Sequence, residues 1–344
     1  MLERNFRLAG TDIVTVKNAF GALPIQRRSK EDAAKILRRA LDGGINFFDT
    51  ARAYSDSEEK IGYAFSSVPR DRYYLATKTA ATTPEGFWKD LETSLKNLRV
   101  DYVDIYQLHC VQQCYREGDG SGLYECLLKA KEQGKIRYAS ITAHKIGVAE
   151  EIAESGLYAT LQFPFSYLAT ERDMALVEKC RKNGVGFIAM KGLSGGLITN
   201  AKAAFAFMNK FDNVLPIWGV QKEEELEQWL SFIDDTPVFD ESVAAFIEED
   251  KKNFGKDFCR GCGYCMPCPQ GIIINQCARI SQMIRRAPSE VWLGEYWQNE
   301  VRKTENCVSC RACTKKCPYG LDIPSLLKKN HDDYFQVLAD SKKQ

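Results

Sequence analysis

Four side chains that could together move a proton fall in three short segments. FFDTARAY (47–54) carries Asp49 and Tyr54, LATK (75–78) carries Lys78, and YQLH (106–109) carries His109. A phenol with a pKa of about 10 releases its proton reluctantly at neutral pH. A nearby ammonium favours the phenolate, and a buried ammonium keeps its charge only beside a partner such as a carboxylate. An imidazole can donate a hydrogen bond to the oxygen being protonated and orient it. The four types therefore suit a proton relay to the alkoxide that develops when a carbonyl is reduced. Taken singly, they also read as a structural ion pair, a boundary tyrosine and a core histidine.

A second chemistry is written in cysteine. CRGCGYCMPCP holds Cys259, Cys262, Cys265 and Cys268, and CVSCRACTKKCP holds Cys307, Cys310, Cys313 and Cys317. Nine of the thirteen cysteines lie between 259 and 317, so the thiols are concentrated for a purpose in that third of the chain. A long chain with no secretory leader in its first residues points to metal or redox chemistry rather than disulfides. Cys-x2-Cys pairs also serve tetrahedral zinc, but triplets followed by Cys-Pro fit iron–sulfur clusters better. Cys277, within IIINQCARI, reads as a packing residue on a helix.

With 47 basic and 46 acidic side chains there is no charge excess to attract nucleic acid or a membrane surface. No stretch approaches the length of a membrane span, and the expectation is a cytoplasmic protein. From 16 to 217, eight apolar runs alternate with amphipathic stretches: 16–21, 45–50, 72–78, 102–109, 136–142, 158–163, 185–190 and 213–217. Ser29 and Gly43 bracket one helix, and Pro84 opens another. Eight such alternations predict an α/β fold, a (β/α)8 TIM barrel, preceded by a hairpin turning at Gly10. Sites on this fold form at the C-terminal strand ends, where Asp49, Lys78 and His109 stand on three successive strands. Phe20, Trp88, Cys110, Gln112 and Phe163 are expected to border the pocket. Residues 237–258 read as a helical connector, and Trp292, Tyr296 and Trp297 beyond it as core or domain-contact aromatics.

FFDTARAY, LATKT and YQLHC resemble the segments that carry the Asp, Tyr, Lys and His tetrad of the aldo-keto reductase superfamily. The likeness covers about residues 4–235. It implies NADPH-dependent reduction of an aldehyde or ketone, with Tyr54 as general acid. No GxGxxG turn is present, so a Rossmann domain is not expected. By the resemblance, Gln162 and Thr142 meet the nicotinamide carboxamide and Gly21 and Ala22 lie under its ring. Met190, Lys191, Gly192 and Leu193 begin the loop around the pyrophosphate. Gly219 and Lys222 belong to the loop and helix facing the 2′-phosphate. Ala143, Phe165, Ser166, Gln221 and Trp229 depart from the family's usual residues, and each departure removes a polar handle.

The cysteine runs resemble a bacterial two-cluster ferredoxin, which implies crossed ligation of two 4Fe-4S clusters. Cys259, Cys262 and Cys265 then pair with Cys317, and Cys307, Cys310 and Cys313 with Cys268. The first run is one residue short before its last cysteine. The chain as a whole is similar to ferredoxin-linked aldo-keto reductases, with a barrel at 1–236 and a connector plus a smaller, mainly helical ferredoxin-like domain at 237–344. Three functions remain open at this point. One is an NADPH-dependent carbonyl reductase. Another is an NADPH-independent reductase fed single electrons by ferredoxin or another electron carrier through the clusters. The third is a non-catalytic electron carrier or redox sensor.

Overall fold

The computed structural model describes residues 6–254, 258–261, 263, 265–286, 289–317 and 320–341. The chain divides into two compact units, Met1–Leu193 with Asn200–Val243, and Ser194–Thr199 with Ala244–Gln344.

In the first unit, β1 (Phe6–Arg7) and β2 (Val14–Thr15) form an antiparallel hairpin. There follow β3 (Ala19–Gly21), α1 (Lys30–Asp42), β4 (Phe47–Asp49), α2 (Ser57–Ala64), β5 (Tyr74–Thr79), α3 (Pro84–Leu98), β6 (Val103–Val111), α4 (Leu123–Glu132) and β7 (Ile136–Ala143). The pattern continues through α5 (Ile146–Ser155), β8 (Thr160–Pro164), α6 (Glu171–Lys182), β9 (Gly186–Met190), α7 (Ala201–Asn209), β10 (Val214–Gly219) and α8 (Glu223–Asp234). Strands β3 to β10 close into one parallel barrel, the expected (β/α)8 arrangement. Helix α1 begins where Ser29 accepts the amide of Asp32, and it buries Ala33, Ile36, Leu37 and Ala40 at helical spacing. Thr83 caps α3, with Pro84 in its first turn.

The hairpin plugs the N-terminal end of the barrel. Phe6, Leu8 and Ile13 share one apolar cluster with Ala19, Phe47, Ala76, Ile105, Ile188, Leu215 and Ile217. Gly10 turns the hairpin at φ +73°, and a Cβ there would sit 2.2 Å from the carbonyl oxygen of Ala159. Side chains alternate across a strand, so counting by two from the plug identifies what faces the opposite mouth. From Phe47 this gives Asp49, from Ala76 it gives Lys78, and from Ile105 it gives Gln107 and His109.

The same parity corrects two pocket assignments. Phe20 and Phe163 are one residue out of step with the inward positions. Phe20 is fully buried against Phe48, whose ring packs in turn on Phe65. Trp88, on α3, stacks edge-on against Phe87 under Lys135, in the outer helical layer. Aromatic identity alone did not say which face each ring takes.

In the second unit, α9 (Glu241–Phe254) is followed by α10 (Ile274–Cys277), α11 (Ile280–Arg286), α12 (Ser289–Leu293), α13 (Glu295–Arg302), α14 (Ala312–Lys316) and α15 (Ile323–Ser341). Ile272, Ile274, Ile280, Val301, Leu327 and Tyr334 form its core together with several cysteines. The Tyr334 hydroxyl donates to the carbonyl of Trp292 at 2.7 Å. Trp292 and Trp297 pack on this core, whereas Tyr296 is 60% exposed and lies on the surface. No helix among the described residues is long and apolar enough to cross a membrane.

Candidate functional site

Asp49 ends β4, and Lys78 is the penultimate residue of the adjacent β5. Lys78 Nζ donates to Asp49 Oδ1 at 2.6 Å and to the carbonyl of Thr50 at 2.6 Å. The two side chains are 3% and 1% exposed. Burial pushes Asp49 up and Lys78 down, each against the attraction of the other. The second carboxylate oxygen of Asp49 accepts Gln107 Nε2 at 3.4 Å, and Gln162 also bonds to this carboxylate and favours its charged form.

Tyr54 follows on the loop between β4 and α2. Its ring meets that of His109 edge-on, with centroids 5.9 Å apart and planes at 78°. Lys78 Nζ stands 5.4 Å from the tyrosine ring centroid. The four side chains named from the sequence therefore converge at one mouth of the barrel. Burial, then Asp49 and Cys110, hold the Tyr54 phenol above its ordinary value. Lys78, bonded to Asp49 and the Thr50 carbonyl, does not bring it below that value. Burial, then Lys78 and His144, brings His109 down to about 3, so its imidazole is neutral at pH 7. His144 falls to about 4 through burial and Lys191.

In the cysteine-rich unit, Cys265, Cys268, Cys307, Cys310 and Cys313 line one small cleft. Cys265 and Cys268 thus share a space with Cys307, Cys310 and Cys313 of the second run. Cys259 Sγ accepts the amide of Gly261 at 3.4 Å. Cys317 is half-buried beside the same core, and Cys262 lies outside the described residues. Cys277 is buried with its thiol on the carbonyl of Glu300, as a packing residue. The thiol donor set fits an iron–sulfur cluster.

A family model described as the aldo/keto reductase family matches residues 18–214. The chain belongs to that family. A model for a 4Fe-4S dicluster domain matches residues 258–322. The chain therefore joins an aldo-keto reductase family domain to a 4Fe-4S dicluster domain. It is 29% identical to L-galactose dehydrogenase of Arabidopsis thaliana over 211 residues, covering 56% of this chain and 66% of that protein. It is 28% identical to aldo-keto reductase YhdN of Bacillus subtilis over 188 residues, covering 49% and 54%. The matches thus span about half to two thirds of these relatives' length. Among solved structures, an aldo-keto reductase from Klebsiella pneumoniae in complex with NADPH superposes with TM-score 0.62 at 20% identity, covering 72% of this chain and 95% of that one. The holo form of an aldo-keto reductase from Bacillus halodurans gives TM-score 0.62 at 19% identity, covering 73% and 96%. At these identities the likeness is one of fold.

In this aldo-keto reductase the positions expected to hold a nicotinamide divide into two groups. At the barrel mouth, Gln162 Oε1 and Gln107 Oε1 are buried with no hydrogen-bond partner among the described residues. Such orphaned acceptors fit the amide of a nicotinamide. Ala22 lies beside Asp49, its amide donating to the Asp49 carbonyl at 2.8 Å. Gly21 leaves room next to the Trp218 backbone, where a Cβ would come within 3.1 Å. Thr142 already accepts the amide of Cys110 at 2.7 Å, bracing a register shift between Leu108 and Val111.

Farther out, Met190 ends β9 and Lys191 is left-handed at φ +59°. The Cα of Gly192 lies close on the Trp218 ring, 2.5 Å from where a Cβ would fall. Leu193 follows, and Gly219 ends β10 against Pro24. Lys222 stands at the N-cap of α8, where two amides are already taken. Glu225 Oε2 accepts Gln221 N at 2.9 Å and Lys222 N at 3.1 Å. Glu223 and Glu224 add charge to the same turn. A carboxylate thus caps two amides and adds negative charge beside Lys222, which disfavours a 2′-phosphate at this helix end. Trp229 is buried, stacked on Trp218 at 4.2 Å with planes 9° apart, and serves the core.

Sequence reading missed Gln107 and Glu58. Gln107 was findable as the residue two before His109 on one strand face. Glu58 lies in a helix, and nothing local marks its burial.

Proposed function

We propose that this oxidoreductase reduces the carbonyl of a small molecule at the C-terminal mouth of the barrel, with Tyr54 as the general acid. The observation that supports this reading is the convergence of Tyr54 and His109 with the buried Asp49–Lys78 pair. When bound, NADPH supplies a hydride to the carbonyl carbon. Tyr54, protonated at neutral pH because burial raises its pKa, gives its proton to the carbonyl oxygen. Neutral His109 donates an N–H hydrogen bond that orients that oxygen. Lys78, held by Asp49 and the Thr50 carbonyl, places positive charge beside the phenol and stabilises the phenolate left behind. Gln162 and Gln107 offer acceptors to the nicotinamide amide.

In this reading residues 1–236 form the catalytic barrel and 237–344 the connector and cluster domain. Two 4Fe-4S clusters are held by Cys259, Cys262, Cys265 and Cys317, and by Cys307, Cys310, Cys313 and Cys268, where they supply one-electron transfer. A second reading is favoured by the Glu225 cap on α8, which weakens the case for NADPH. In it, an external one-electron carrier such as ferredoxin feeds the barrel through the dicluster domain, and Tyr54 and His109 still supply protons.

Anaerobic titration with NADPH, followed by turnover of an aldehyde panel, tests both. NADPH-dependent turnover lost in Tyr54→Phe supports the first. Turnover only with a reduced one-electron carrier, also lost in Tyr54→Phe, supports the second. Full activity in Tyr54→Phe rejects both.

A further inference from the structure

Glu58, in the first turn of α2, is a carboxylate that the proposed chemistry leaves unused. Its side chain has 0% exposure. A buried charge is costly unless it is paired and hydrogen-bonded, so its partners indicate what it holds. Glu58 Oε1 accepts Thr77 Oγ1 at 2.7 Å, and Oε2 pairs with the Arg52 guanidinium. Thr77 precedes Lys78 on β5, and by strand alternation it faces the helical layer while Lys78 faces the barrel interior. Arg52 lies two residues before Tyr54, and its own amide donates to the Lys78 carbonyl at 2.9 Å.

The loop between these anchors is short and internally bonded. Tyr54 N donates to Ala51 O at 3.0 Å, Ser57 N donates to Tyr54 O at 2.9 Å, and Ser57 Oγ donates to Ala22 O at 2.9 Å. The segments that carry Tyr54 and Lys78 are therefore tied, from behind the strand, to one carboxylate.

We infer that Glu58 is a positioning residue: its bonds to Arg52 and Thr77 fix the Tyr54 loop to β5 and so set where the phenol lies relative to Lys78. The inference rests on the proposed reduction for its activity readout. It has a second readout that does not, because Lys78 faces charge from Asp49, Glu58 and Cys110, with His109 and Tyr54 beside it. Glu58 favours the ammonium form of Lys78. Neutralising it moves the Lys78 titration to lower pH.

The experiment compares wild type, Glu58→Gln, Arg52→Gln, the double variant and Thr77→Val in the full-length chain. It measures reduction of 4-nitrobenzaldehyde, with NADPH or with reduced methyl viologen, and the 15N NMR titration of Lys78 Nζ. Glu58→Gln is expected to lower kcat between about tenfold and a hundredfold, the scale of a displaced catalytic group. Its KM should stay within about twofold, and both the alkaline limb and the Lys78 titration should move to lower pH. Adding Arg52→Gln removes the unpaired guanidinium and recovers part of the loss.

A folded Glu58→Gln protein with wild-type kcat and an unmoved titration overturns the inference. So does a loss of kcat with an unmoved titration that Arg52→Gln does not relieve, which is a merely structural role. If Glu58→Gln does not fold, Thr77→Val carries the test: it keeps the carboxylate and loses the strut, and an unchanged kcat rejects the idea. Tyr54→Phe separates the two levels. Full activity in that variant ends the proposed reduction, while the titration still decides the strut.

Discussion

Lys78 Nζ lies 2.6 Å from Asp49 Oδ1 and 2.6 Å from the carbonyl of Thr50, so one ammonium joins the end of one barrel strand to the loop leaving its neighbour. The pair is almost wholly enclosed, and its removal has consequences for stability as well as chemistry. Lys78→Met leaves Asp49 buried without its counter-ion and should cost about 3–5 kcal/mol. Urea unfolding checks the figure. A loss under about 1 kcal/mol would show that water or another group replaces the lysine.

Tyr54→Phe removes the only proton of the phenol while keeping its ring against His109. The expected loss in kcat is on the order of 10²–10⁴, with the fold intact by circular dichroism. Steady-state rates at saturating substrate decide it.

His109 and His144 titrate at about 3 and about 4, both below the ordinary histidine value of 6.5. The unfolded chain then binds protons that the folded chain refuses. Stability from this source is present above about pH 6.5 and is lost as pH falls toward 4. Urea midpoints should drop over that window, and the slope should lessen in His144→Gln. The activity profile should show no acid limb near 6.5, because His109 stays neutral there.

Glu225 occupies two amides at the start of α8. Glu225→Ala frees them and removes a negative charge, so NADPH affinity should rise about tenfold, the scale of one charge-assisted contact, while NADH affinity changes little. Fluorescence titration with both nucleotides reads the difference. Equal gains for the two would assign the effect elsewhere.

Cys310 is exposed at the rim of the thiol-lined cavity, and Cys277 is buried against the Glu300 carbonyl. Cys310→Ala should lose about half of the iron and sulfide under the two-cluster assignment, whereas Cys277→Ala should keep all of it. Colorimetric iron and sulfide analysis of anaerobically purified protein measures both. Zinc in place of iron in the wild-type chain would defeat the assignment.

The order of eight apolar runs, the cap at Ser29 and the helix start at Pro84, and the Asp49, Tyr54, Lys78 and His109 positions were legible along the chain. Each depends on local periodicity or on where a strand ends, and these are short-range properties. The cysteine spacing was legible for the same reason, since ligands two residues apart must share a loop. Even the Glu225 cap carries a local sign, a carboxylate three residues beyond Lys222, although its bearing on a phosphate emerged only from its bonds.

What tertiary structure decided is burial, facing and partnership across the sequence. Phe20 and Phe163 lie one residue out of step with the inward positions, because strand parity is set by barrel register rather than by hydrophobicity. Trp229 became a core ring through its stack on Trp218. Gln107 and Gln162 joined Asp49 only once three non-adjacent strands had closed a ring, and Glu58 found Thr77 nineteen residues away. The sequence by itself determined which chemistries were present and where each strand would deliver them. Barrel closure decided which charges are dry and which amides are already taken, because desolvation depends on neighbours that the linear chain does not bring together.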